Sequence, residues 1–152
     1  MKIDSVLLAA QPFLKGFSKP QLEVLSNNAL QVEFPVDQMI FKEGLDANRF
    51  YIILEGEVAL ESADVKNGSS QLIQTIKAGD VLGWSWLFPP YKWHFDARAV
   101  KPTKAIIFIA TNLRELCDRD EAFGYELMKR ASKVVIKRLQ STRLKMLKRE
   151  KD

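Results

Sequence analysis

The stretch GDVLGWSWLFPPYKWHFDARA, from Gly79 to Ala99, decides the fold. A turn at Ala78-Gly79-Asp80 leads through Val81-Leu82 to Gly83, bulky residues fill Trp84 to Phe88, Pro89-Pro90 stops that segment, and alternation resumes at His94. The pattern predicts strand, short helical turn, loop, strand. A glycine followed by a short helix between two strands gathers free backbone N–H groups, because the first helical amides have no internal partner. The backbone pattern is that of a phosphate cradle, while its side chains are rings rather than cations.

Outward from this stretch the chain reads as short strands with glycine turns. Leu30, Val32 and Phe34 alternate, Met39 to Phe41 follow Pro35-Val36-Asp37, and Phe50 to Leu54 is rich in the aromatic and β-branched residues that suit a buried strand. Glu55-Gly56 supplies a turn where positive φ is tolerated, and Lys66-Asn67-Gly68-Ser69-Ser70 a second hairpin tip before Gln71 to Ile76. Lys104 to Ala110 is almost wholly apolar, as expected of a strand covered on both faces. The class is mainly β with flanking helices, a closed sandwich or jelly roll over about residues 30–110.

Helices bracket this body. Asp4 to Leu14 is a short helix candidate limited by Pro12, with Val6, Leu7, Phe13 and Leu14 inward. Ser18-Lys19-Pro20-Gln21 is a capping-box start for a helix from about Pro20 to Asn28, with Leu22, Val24 and Leu25 apolar. Thr111 is a candidate N-cap for a helix through Cys117, and Asp118 to Glu121 an acidic start for a long one, about 119–147, with 148–152 as a basic tail. Two stripes run along the long helix. Tyr125, Met128, Ser132, Val135, Leu139, Thr142 and Met146 recur at coiled-coil spacing, while Phe123, Leu127, Ala131 and Val134 suit packing on the β body. A helix with two sides to bury predicts a parallel homodimer.

Composition narrows the function. The 152 residues, 47% hydrophobic, suffice for one domain with a sizeable core, so 1–152 reads as a single unit. Residues 129–152 hold 10 Lys+Arg against Glu150 and Asp152, which leaves an acidic body and a basic tail. No apolar run reaches the roughly 20 residues of a membrane span, and Asp4 interrupts any signal-like start, so a soluble cytoplasmic chain is expected. The single Cys117 and single His94 offer neither a disulfide, a metal set nor a nucleophile–base pair. The chain reads as a non-enzyme with no metal and no resident cofactor.

The runs GLDANRFYIILEGEVAL and IKAGDVLGWSWLF, the strand Ala97-Arg98-Ala99 and the long final helix together resemble the cyclic-nucleotide-binding domain of bacterial catabolite activator and Fnr type regulators. The resemblance implies an eight-stranded jelly roll (double-stranded β-helix), a final helix that makes the dimer, and a phosphate-binding cassette at Gly83 through Trp93. Family members that bind cyclic nucleotides carry a glutamate after the cassette glycine and an arginine before the last cassette strand. Here Trp84 and Trp93 stand in those places. Loss of an arginine–phosphate bond alone costs about 1.5 to 3 kcal/mol, so ordinary cAMP binding is not expected.

Two readings of the cassette follow. In one, Trp84, Trp86, Trp93 and neighbouring rings form an aromatic box for another small-molecule effector, with Gly83, Ser85, Lys92, His94 and Arg98 as backbone or polar contacts. In the other, the rings collapse into the old pocket and fill it, and Arg98 is structural. The functional expectation is a stand-alone regulatory or sensing module, dimeric, acting on an unidentified protein partner without reading DNA, since the resemblance places a helix-turn-helix beyond the long helix and few residues remain there. The alternative is a ligand-free interaction scaffold that retains barrel and dimer helix.

Overall fold

A computed structural model describes residues 3–64, 68–82 and 84–151. Helix α1 (Ser5–Ala9) is capped by Asp4, whose Oδ1 accepts from Val6 N–H at 2.8 Å. Pro12 ends that segment, and a 3-10 turn at Pro12–Leu14 replaces the longer helix expected from sequence. Helix α2 (Lys19–Asn27) starts one residue before the expected Pro20, on the anticipated capping box: Ser18 Oγ accepts from Gln21 N–H, and Gln21 Oε1 from Ser18 N–H. Val6 and Val24 point outward, contrary to expectation, while Leu8, Leu22 and Leu25 are buried. One or two helical turns leave few positions from which periodicity can choose a face.

Eight strands follow: β1 (Ala29–Phe34), β2 (Met39–Phe41), β3 (Arg49–Glu55), β4 (Glu57–Asp64), β5 (Ser69–Lys77), β6 (Val81–Leu82), β7 (Asp96–Ala99) and β8 (Thr103–Ile109). They form two four-stranded sheets, ordered β1-β8-β3-β6 and β2-β7-β4-β5, with every pairing antiparallel. The jelly roll inferred from strand spacing is the fold. β8 lies between β1 and β3 with Ala105 to Phe108 buried, while Ile109, expected to be covered with them, is 38% exposed at the strand's end. Lys66 and Asn67 of the expected hairpin tip, and cassette Gly83, fall outside the described residues.

Gly56 joins β3 to β4 at φ 99°, and a Cβ there would stand 2.5 Å from the Pro102 carbonyl oxygen. Only glycine satisfies both conditions. The core sits between the sheets and continues under the helices. Phe50 is its hub, with ring centroids 5.2 Å from Phe13, 5.4 Å from Trp86 and 5.8 Å from Phe108.

Helix α3 (Ala110–Arg119) begins directly after β8, with Ile109 in the cap position. Thr111 therefore lies inside the helix and is not its cap. Helix α4 (Glu121–Lys151) is capped by Asp120, whose Oδ1 accepts from Phe123 N–H at 3.1 Å. It runs four residues past the expected end at Leu147. Gly124 permits the two helices to touch, since a Cβ there would meet the Cys117 carbonyl oxygen at 2.9 Å. Phe123, Leu127 and Ala131 are buried and Val134 packs on the core, so the second stripe faces inward, with the Phe123 ring 5.6 Å from that of Phe17.

Candidate functional site

The cassette loop is laced to a neighbouring turn by backbone bonds. Trp93 N–H donates to Leu45 C=O at 3.0 Å, Gly44 N–H to Trp93 C=O at 2.9 Å, and Ala47 N–H to Tyr91 C=O at 2.7 Å. This fixes Trp93 with its ring inward, only 4% exposed. The indole stacks on Phe41 at 3.8 Å between centroids and 9° between planes, and it meets Tyr51 at 6.3 Å.

The near limb of the loop is a 3-10 turn at Trp84–Leu87. With three residues per turn, Trp84 and Trp86 face different sides. Trp84 is half-buried and stacks on exposed His94 at 5.5 Å, while Ser85 Oγ lies 2.9 Å from His94 Nδ1. Trp86 turns into the core against Phe50, its indole N–H without an acceptor among the described residues. What remains between the rings is a cavity of about 10 Å³, lined by Phe41, Leu60, Trp84, Ser85, Trp93 and His94 among others. That is room for about one water molecule.

Four of the seven described ligand candidates, Trp84, Ser85, Trp93 and His94, thus gather around one closed space. Trp86, Lys92 and Arg98 lie outside its lining. Lys92 forms an ion pair with Asp46 of the neighbouring turn. Arg98 Nε donates to Glu61 Oε1 at 2.9 Å and another guanidinium nitrogen to Asp37 Oδ1 at 3.1 Å, which ties β7 to β4 and to the turn before β2. These carboxylates hold the Arg98 pKa above its ordinary value, with the Glu61 hydrogen bond the largest cause. Both cations are paired with protein carboxylates.

Two arginines absent from the sequence expectation touch this region. Arg138 of α4 reaches the cavity wall and donates to Val81 C=O. Burial pushes its guanidinium down to about 10, opposed by the charge of Asp80. One helical turn beyond Val134, it extends the inward stripe, so an arginine on an apolar face was the available signal. Arg114 of α3 donates to Trp86 C=O at 2.6 Å and lies over the Tyr91 ring, 4.2 Å from its centroid. It joins both limbs of the loop to the helix that precedes α4.

The other α4 stripe faces solvent. Tyr125, Met128, Leu139 and Met146 are 66%, 40%, 67% and 61% exposed, Ser132 and Thr142 are exposed, and Val135 is half-buried. Among the described residues no helix is long and apolar enough to cross a membrane.

A family model described as cyclic nucleotide-binding domain matches residues 31–120. A CRP-like cAMP-activated global transcriptional regulator from Mycobacterium tuberculosis is 25% identical over 141 residues, covering 92% of this chain and 60% of the relative. The chain thus spans less than two thirds of that curated relative. A crystal structure of a Geobacter metallireducens GS-15 protein, named for cyclic-nucleotide binding, matches with TM-score 0.82 and 28% identity over 90% of this chain and 98% of that one. The regulatory subunit of a cAMP-independent protein kinase A from Trypanosoma cruzi, bound to guanosine, shares the fold at TM-score 0.62 and 21% identity, over 79% and 46% of the two chains.

Proposed function

The chain belongs to the cyclic nucleotide-binding domain family, and from that premise we propose that it is a dimeric regulatory module whose cassette is closed on its own side chains. One observation carries this reading: the space between Trp84, Trp93 and Phe41 is about 10 Å³, where sites for small organic ligands span roughly 300 to 1,000 Å³. Opening it requires separating the stacked Trp93 and Phe41 rings, and Lys92 and Arg98 would have to leave Asp46 and Glu61 to meet a phosphate. Cyclic AMP is therefore not its effector.

Output runs through the helices. Arg114 links the cassette loop to α3, and α3 packs on α4, so a change in the loop displaces the helix pair against the barrel. The exposed stripe from Tyr125 to Met146 is then the seam with a second copy, and the dimer presents its surface to a protein partner.

A second reading keeps sensing in the loop. Trp84 and His94 stack at the rim with Ser85 behind them, a flat platform suited to an aromatic ligand without a phosphate. Titration calorimetry with cAMP, cGMP and guanosine separates these outcomes. The closed cassette predicts no saturable heat with either cyclic nucleotide that is lost in Trp84→Ala. Saturable guanosine binding lost in Trp84→Ala transfers support to the platform, and tight cAMP binding lost in the same variant contradicts both.

A further inference from the structure

Between the 3-10 turn at Pro12–Leu14, the β5–β6 turn and α4 lies a cleft of about 420 Å³, within the range of sites that hold small organic ligands. Its lining carries five cations, Lys15, Arg130, Lys133, Lys137 and Arg138, against the one carboxylate of Asp80. Asp80 is engaged in its own turn, where Oδ2 accepts from Lys77 N–H at 3.2 Å. Arg130 is committed to the frame: it donates to Phe13 C=O at 2.9 Å and Lys15 C=O at 2.6 Å, fixing the N-terminal limb against α4.

The other four cations have no carboxylate within 4.0 Å among the described residues. Lys15, Lys133 and Lys137 are exposed, whereas Arg138 is half-buried. Arg138 donates to Val81 C=O and feels the charge of Asp80, but no carboxylate touches it, and a cation partly removed from water is where an incoming anion gains most, because screening is weakest there. Phe13, Ile76 and Val134 add apolar surface to the same lining.

The cleft also escapes the dimer seam. At 100° per residue, positions 130, 133, 134, 137 and 138 centre roughly 160° around α4 from the Tyr125 to Met146 stripe. A second copy on that stripe leaves the cleft open.

We infer that this cleft is a second binding site, distinct from the cassette cavity although Arg138 borders both, for a small phosphorylated molecule of nucleotide size. Phosphoryl oxygens meet Lys133, Lys137 and Arg138 through charge-assisted bonds, and the apolar body lies against Phe13 and Val134. The site stands whether or not the cassette binds anything.

Calorimetry on the full chain at about 50 mM salt tests it, with ATP as phosphorylated probe, adenosine as its uncharged counterpart and pyrophosphate as charge without the ring. ATP should bind saturably, one per chain, and more tightly than either fragment. The double variant Lys133→Gln/Lys137→Gln should weaken it at least about tenfold, and Lys148→Gln, farther along α4, should not. Both are exposed-site changes, so circular dichroism should show an unaltered fold. The proposal is overturned by absence of saturable ATP binding, by binding that the double variant leaves intact, or by an equal loss in Lys148→Gln. Pyrophosphate binding as tightly as ATP would overturn the apolar half of it.

Discussion

Trp93 lies flat on Phe41, ring centroids 3.8 Å and ring planes 9° apart, in the loop between the 3-10 turn and β7. The stack is a packing element, and its removal is read in stability. Trp93→Ala should cost about 3 to 5 kcal/mol, the range for deleting a buried aromatic ring. Urea unfolding checks this; a loss below about 1 kcal/mol would mean that the ring is not filling the core.

Arg114 ties the cassette loop to α3 through Trp86 C=O and the Tyr91 ring. Arg114→Met removes a charge-assisted hydrogen bond worth about 1.5 to 3 kcal/mol. Hydrogen exchange should then quicken at Trp84 to Tyr91 while β3 and β8 keep their protection. Uniform quickening across the sheets would place Arg114 in global stability instead of in the link between loop and helix.

The Tyr125 to Met146 stripe of α4 is apolar and exposed at several positions. Leu139→Glu puts a charge into the proposed seam and should convert a dimer to a monomer in sedimentation velocity, without loss of secondary structure. A wild-type chain that is monomeric at tens of micromolar contradicts the seam.

Burial, with the charges of Asp118 and Asp120 behind it, pushes the Cys117 thiol from 9.0 up to about 11. The thiolate is the reactive form, so a raised pKa lowers its share at neutral pH. Alkylation by iodoacetamide should be slow at pH 8 and rise steadily through pH 10 in the folded chain, whereas the urea-unfolded chain should level off near the ordinary thiol value.

Much of the fold was legible because strand alternation and glycine turns are local signals. Gly56 announced its turn, and the apolar run from Ala105 to Ile109 announced a central strand, although Ile109 is left exposed. The α4 stripe through Phe123, Leu127, Ala131 and Val134 was equally readable, since a long helix repeats its pattern often enough to fix a face. The cassette's interior was harder. Arg98 finds Glu61 and Asp37 at separations of 37 and 61 residues, which no local pattern reports. Trp86 parts from Trp84 because the turn is 3-10, and Arg138 becomes a cleft and cavity residue only once α4 is laid on the barrel.

The most direct measurement of the closed cassette is a proton–nitrogen correlation spectrum of the three indole N–H groups during titration with cAMP. The account predicts that the Trp84 and Trp93 signals stay in place up to about millimolar nucleotide, a concentration where only very weak binding is sampled. A saturable shift of both signals at micromolar cAMP would contradict it.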